Sequence, residues 1–243
     1  MFNRVSLGQK TLAPEENMTL ILAIPAADGL VLASDGQITI GEVRTPGKKI
    51  HRLNERSAWA AAGELALVQR VEERISTLPT DTSLANMRDQ IAYLVKQCVT
   101  EMVQLDFRTQ FLPPDPDRLL QLHFADFIFA EFPHKPEILH ISSLGSPEWI
   151  PDRPFVAGNG DLFAYALLRK YLGQPLNLER AAILAYKVIE ETIEVGAYGL
   201  GHPIDLWQVT DAGVKNLAAA ETAALADAAR KLRELEIRLL ISG

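Results

Sequence analysis

The chain has 243 residues, a formal net charge of −7, 48% hydrophobic residues and a single cysteine. The acidic balance, with Lys48-Lys49 a pair rather than a patch, argues against a nucleic-acid-binding face. The lack of an apolar run of about 20 residues argues against a membrane span, and lone Cys98 rules out an internal disulfide.

Residues 1–17 are short, polar and irregular, without the apolar core of a secretory signal. They read as a disordered leader, as a propeptide removed to expose Thr19, or as sequence upstream of a true start at Met18. The first strong pattern is a pair of apolar runs, Thr19–Ile24 and Gly29–Thr39, separated by Pro25-Ala-Ala-Asp28-Gly29. Asp-Gly between two such runs is a hairpin signal. Asp35 falls at the end of the second run, and Lys49 follows a turn region holding Gly41, Pro46 and Gly47. A hydroxyl, a carboxylate and an amine are thereby set to meet near one sheet edge, though solvated charges at hairpin ends would give the same spacing.

Residues 56–62 predict a short buried strand ended by Gly63, with a helix from Glu64 to Thr77 after it. Glycine at a strand-to-helix turn permits close backbone approach at a helix N-terminus. Leu84, Met87, Ile91, Leu94, Cys98 and Met102 recur at helical steps and predict a second helix from Ser83 to Asp106, with Cys98 as core filler. Pro-Pro-Asp-Pro at 113–116 breaks the chain. Residues 125–131 and 137–142 then predict two antiparallel strands. His123, His134 and His140 cluster there, but with no paired Cys or Asp ligand they read as ordinary strand and loop histidines rather than a metal site.

Gly158-Asn159-Gly160-Asp161 opens a third helix, Leu162 to Leu172; no Lys-Ser/Thr pair follows to make a phosphate loop. Asn177 caps a fourth helix reaching about Val195, and residues 203–209 and 213–215 close the sheet. The order is strands, two helices, strands, two helices, strands, which fits two antiparallel sheets face to face with a helix pair on each outer side. Beyond it, Leu225, Ala228, Leu232, Leu235 and Leu239 define an amphipathic helix carrying Arg230–Glu234 and Glu234–Arg238 pairs. It either packs on its own subunit or makes a contact between subunits or rings.

The Thr19-led strand, Ala33-Ser-Asp35-Gly-Gln-Ile-Thr39, Gly47-Lys-Lys49-Ile-His-Arg-Leu53, Ala60-Ala-Ala-Gly63 and Phe155-Val-Ala-Gly-Asn-Gly-Asp161, in that order, resemble a proteasome β-type subunit, and still more the bacterial ATP-dependent protease HslV. The resemblance runs from about Thr19 to Leu217. It implies a leader or propeptide over 1–18, a hydrolase domain over 19–217 and a C-terminal helical extension over 218–243. The implied fold is α+β, the four-layer αββα sandwich of N-terminal nucleophile hydrolases. The implied assembly is a homo-oligomeric ring in the cytoplasm, with no metal or cofactor, degrading unfolded polypeptide supplied by an ATPase unfoldase.

Carried over residue by residue, the resemblance makes Thr19 the nucleophile and its α-amine the base. Lys49 tunes that amine, Asp35 orients Lys49, and Gly63 contributes to the oxyanion hole. Thr39 would bind substrate backbone, and Ile38, Ala61 and Leu65 would line a small apolar pocket. The sequence departs from the family pattern at Asn159, where a serine is usual, and at Ala197 and Leu200, where an aspartate and a serine are usual. Met18 also stands where glycine usually precedes the processed threonine. Three readings therefore stay open: a threonine-type endopeptidase, a non-catalytic ring subunit, and an amide hydrolase with another substrate.

Overall fold

A computed structural model describes residues 19–40, 43–106, 124–196 and 199–241, the side chains of 39, 40, 105 and 106 excepted. The hairpin read from the sequence is β1 (Leu20–Ala26) and β2 (Gly29–Ser34). Pro25 and Ala26 still pair with Leu30 and Gly29, so the turn is shorter than the sequence suggests, only Ala27-Asp28. Asp28 then reaches outward and accepts a hydrogen bond from the Leu178 amide at 2.7 Å. The hairpin tip is thus stitched to the first turn of a helix distant in sequence.

Around this hairpin the first sheet has the order β10-β1-β2-β11-β12 (β10 Phe155–Gly158, β11 Asp205–Thr210, β12 Gly213–Asn216). The second has the order β5-β6-β7-β8-β9 (Ile50–Arg52, Ser57–Gly63, Ala125–Glu131, Glu137–Ser142, Pro147–Ile150). Every pairing in both is antiparallel. A separate two-stranded ribbon, β3 (Gln37–Ile40) with β4 (Val43–Pro46), projects between β2 and β5.

Side-chain alternation explains why β1 and β2 are apolar at every position. Ile21, Ala23, Leu30 and Leu32 face the second sheet, where Ala58, Ala60, Ala62 and Ile128 meet them. Leu20, Leu22, Ile24, Val31 and Ala33 face outward onto helices. A strand covered on both faces loses the polar half of the usual alternation. Each fully buried large aliphatic contributes about 1.5–3 kcal/mol.

The outer layers complete the αββα sandwich. Helices α1 (Leu65–Ile75) and α2 (Leu84–Glu101) cover the second sheet over Trp59, Phe127 and Phe129, whose rings lie about 6 Å apart. A π-helical turn, Met102–Asp106, ends α2, and Cys98 is fully buried on its stripe as expected. Helices α3 (Asp161–Leu168) and α4 (Leu178–Glu194) cover the first sheet, and α5 (Ala219–Ile241) packs against α4. Arg230 on α5 turns to Asp227, so the Arg230–Glu234 pair expected from sequence does not form. Asn177 caps α4 by accepting from the Arg180 amide at 2.9 Å, and the third helix ends in a 3-10 turn at Arg169–Tyr171.

Two buried charges lock elements together. Glu131 on β7 accepts from the Leu84 amide at 2.6 Å, supplying the cap that Ser83 does not give α2. Lys187 on α4 pairs with Glu191 and, at 3.1 Å, with Glu236 on α5. Among the described residues no helix is long and apolar enough to cross a membrane.

Candidate active site

The site forms where β1 begins and β2 ends, beside the first residues of β5. Asp35 follows the last residue of β2 and has no exposed surface. Its Oδ1 accepts from Lys49 Nζ at 2.6 Å and from the Leu20 amide at 2.8 Å. Its Oδ2 accepts from the amides of Gln37 at 3.2 Å and Gly201 at 3.3 Å. Four donors on one buried carboxylate hold it in a single orientation. The Asp35 amide returns a bond to the Leu20 carbonyl at 3.2 Å, so Asp35 grips the residue after Thr19 from both sides.

Lys49 is almost completely enclosed. Burial pushes its pKa below the ordinary lysine range; the Asp35 charge and hydrogen bond oppose that shift without cancelling it. The sequence places Lys49 just before β5, and the Lys49 carbonyl accepts from the Ala61 amide at 3.3 Å. That bond ties the lysine backbone to the second sheet while its side chain serves the first.

Thr19 is positioned from the opposite flank. Its carbonyl accepts from the Asn159 amide at 2.7 Å, next to the β1–β10 pair of Leu20 with Gly158. A Cβ at residue 158 would lie 1.9 Å from the Thr19 carbonyl oxygen and 3.0 Å from the Ala62 Cβ, with φ at +100°. Only glycine lets the Thr19 backbone enter this notch. The structure therefore brings together Thr19, Asp35, Lys49 and Asn159, the last through its backbone.

Gly63 ends β6 opposite Ala125, and Glu64 follows as the residue before α1. A Cβ on Gly63 would lie 2.3 Å from the Phe124 carbonyl, so this close approach requires glycine. Of the proposed substrate contacts, Ile38 sits half-buried on β3 and Leu65 half-buried at the start of α1. Ala61 is buried in the core under α1 and α2. The Thr39 side chain and Ala197 lie outside the described residues. Leu200 is buried in the core under the helices of the first sheet.

Sequence reasoning missed Gly201 and Gln37 as holders of Asp35. Gly201 comes from 166 residues away; the Gly199-Leu-Gly201-His-Pro203 run was the available signal of a tight backbone approach. It also missed the partner of His140, whose Nε2 lies 2.7 Å from Asp126 Oδ1 across the β7–β8 pair. His134 is exposed, and His123 lies outside the described residues. Among the described residues no cluster of three or more His, Cys, Asp or Glu could hold a metal ion.

Two antiparallel sheets between helix layers, with a carboxylate–lysine pair at the start of the first strand, define the class: an N-terminal nucleophile hydrolase fold. The family model for proteasome subunits matches residues 16–202. The chain belongs to the proteasome subunit family. It is 23% identical over 202 residues to a proteasome subunit beta 2 of Pyrococcus abyssi, covering 82% of this chain and 90% of the relative. It is 26% identical over 204 residues to a proteasome subunit beta of Nanoarchaeum equitans, covering 82% and 97%. Among solved structures, the ancestral beta-subunit Anbu from Yersinia bercovieri shares the fold, with a TM-score of 0.70 at 16% identity over 91% of this chain and 96% of that one. Membership of this family makes the chain a proteasome-type ring subunit.

Proposed function

We propose that this chain is a threonine-type endopeptidase subunit of a self-compartmentalising ring, active once Thr19 is its first residue. The observation that carries the reading is the Asp35 carboxylate, which joins Lys49 Nζ and the Leu20 amide in one buried network beside Thr19. A threonine hydroxyl needs a base, and a free α-amine, with a pKa of about 7.7–8.0, supplies one near neutral pH. A neighbouring ammonium lowers that pKa further by like-charge repulsion.

In the proposed reaction, the Thr19 hydroxyl gives its proton to its own α-amine as the oxygen attacks a peptide carbonyl. The oxyanion that forms is met by the Gly63 amide. The C–N bond then breaks, and the α-ammonium returns the proton to the leaving amine. Water, deprotonated by the same α-amine, hydrolyses the resulting ester and restores the hydroxyl. Thr39 would pair with substrate backbone, and Ile38, Ala61 and Leu65 would border the side chain before the cut. Asn159 would support Thr19 from β10. The substrate would be an unfolded polypeptide, delivered by an ATPase unfoldase to a homo-oligomeric ring in the cytoplasm.

A second reading, a ring subunit that kept the fold and lost the chemistry, is favoured by Leu200. This buried aliphatic stands near where the family pattern places a serine, so a hydroxyl that the pattern calls for is replaced by core packing. Intact mass and turnover of a fluorogenic peptide separate the two. The peptidase reading expects a chain beginning at Thr19 that turns over peptide, with all turnover lost in Thr19→Ala. A chain that begins at Thr19 and turns over no peptide supports the second.

A further inference from the structure

Helix α1 starts two residues after Gly63 and carries one row of side chains away from it. Leu65, Val68 and Glu72 follow at steps of three and four residues, so they share a face of the helix. Leu65 and Val68 are half-buried, and Glu72 is exposed at the far end. Beside this row stands His51 of β5, whose Nδ1 lies 2.7 Å from Glu72 Oε1. The His51 ring stacks on Trp59, with centroids 4.6 Å apart and planes 18° from parallel. Trp59 thus fixes the ring, and the ring fixes the carboxylate. Glu72 has no other ion-pair partner among the described residues. Lys48 is turned away, its Nζ 5.3 Å from the centre of the Trp207 ring.

This pair lies beyond the pocket that Ile38, Ala61 and Leu65 border. Ile38 lies across Gly47, where a Cβ would come 2.0 Å from its Cδ1. The chain then runs through Lys49 to His51, and two residues of extended chain rise about 6.6 Å. Along α1, Leu65 to Glu72 spans about 10 Å, and a helical side chain leans back toward the N-terminus, which shortens the reach. The walls near Gly63 are aliphatic, and a carboxylate stands past them. A leucine before the cut ends among the aliphatic groups. A lysine or arginine lays its stem along them and carries its charged head on to Glu72. Burial holds the His51 pKa below the ordinary histidine range, although Glu72 pulls it upward. At neutral pH the ring is therefore uncharged and orients the carboxylate without cancelling its charge.

We propose that Glu72, oriented by His51, selects lysine or arginine as the residue before the cut, so that the substrates are polypeptides cleaved after basic residues. This rests on the peptide-binding role given to Ile38, Ala61 and Leu65, and it makes the far end of that pocket acidic.

The test uses a chain whose first residue is Thr19 by intact mass, and three peptides that differ only in the residue before the cut: arginine, leucine or glutamate. Each is supplied as a fluorogenic substrate, read as kcat/KM, and as the free acid ending at that residue, read as Kd. Arginine is expected to be favoured over leucine about tenfold in both, the worth of one hydrogen bond between charged groups at a half-exposed carboxylate. Glu72→Gln keeps the shape and is expected to erase the preference. Glu72→Lys is expected to shift it to the glutamate peptide, a gain that a misfolded chain would not show. Equal values for arginine and leucine in the unmodified chain, or a preference that survives Glu72→Gln, overturns the proposal. A Glu72-dependent preference in Kd without turnover sustains it and sinks the peptidase reading, whereas turnover without preference does the reverse. A chain that neither binds nor cleaves any of the three overturns both.

Discussion

Asp35 and Lys49, 14 residues apart, are buried against each other at 2.6 Å, and the same Asp35 oxygen accepts from the Leu20 amide. One carboxylate thus fixes both the ammonium and the backbone next to Thr19. Removing either partner has unequal consequences. Asp35→Ala leaves an enclosed ammonium and three backbone amides without their acceptor. Breaking a buried pair in this way costs about 3–5 kcal/mol of stability. Lys49→Met keeps the aliphatic volume and leaves Asp35 with its amide donors. We expect chemical denaturation to show the large loss for Asp35→Ala and a smaller one for Lys49→Met, while peptide turnover is lost in both. Retained turnover in Lys49→Met would contradict the role given to the ammonium.

The notch at Gly158 gives a second expectation. Alanine there must avoid the Thr19 carbonyl, 1.9 Å from the new Cβ, and adopt φ near +100°. Gly173 is a control with φ at +76° and nothing within 4 Å of a Cβ. Gly173→Ala should carry only the conformational cost, of order 1 kcal/mol, and keep peptide turnover. Gly158→Ala should lose more stability and most of its turnover, because β1 must shift at its first residue. Equal effects of the two substitutions on turnover would show that the notch does not position Thr19.

The layered architecture was legible because β1, β2 and the helices are amphipathic or doubly buried in runs long enough to show it. Cys98 fell on a helical stripe and is core. Asp35 and Lys49 were legible as a pair through the family resemblance rather than their spacing, and the stretch read as a turn between them holds the β3–β4 ribbon. The rest of the network was not, because Gly201 reaches Asp35 through a backbone amide from 166 residues away, and a glycine-rich run marks a close approach without naming its partner. Glu131 capping α2 and Asp126 meeting His140 are likewise settled by strand pairing and helix docking rather than by local pattern. On α5, propensity and i,i+4 spacing named the helix, yet the residue that buries is Ala229, not Ala228. Docking onto α4 rotated the stripe, and no periodicity within α5 alone determines that.

The pH dependence of turnover should be bell-shaped. The rising limb follows deprotonation of the Thr19 α-amine, whose ordinary pKa is about 7.7–8.0 and which the Lys49 charge lowers. The falling limb follows loss of the Lys49 proton. Burial lowers the Lys49 pKa and Asp35 partly restores it, so this limb should fall below the ordinary lysine range. Asp35→Asn removes the restoring charge and should move the falling limb lower still. The sign for stability is opposite to that of a paired surface lysine. The folded state holds this proton less tightly than the unfolded state does, so stability should rise with pH between the lowered value and about 10.4. A kcat/KM profile without a falling limb up to the ordinary lysine range would remove Lys49 from the mechanism.

Activity should require Thr19 to be the first residue of the chain. While Met18 is attached, the Thr19 nitrogen is an amide without usable basicity. The only other amine in the network, Lys49, is engaged in donating to the Asp35 carboxylate at 2.6 Å. A hydroxyl with no base is a weak nucleophile. A chain retaining residues 1–18 should therefore be inactive. Self-cleavage at the Met18–Thr19 bond, or initiation at Met18 followed by removal of that methionine, would yield the same active end. A variant shortened to begin at Met18 should hydrolyse peptides once mass spectrometry shows Thr19 at its terminus. Thr19→Ser in that variant should retain measurable turnover, since it keeps both hydroxyl and amine, and Thr19→Ala should be dead. If the 243-residue chain hydrolyses peptides with residues 1–18 still attached by mass, the α-amine is not the base and the mechanism is wrong.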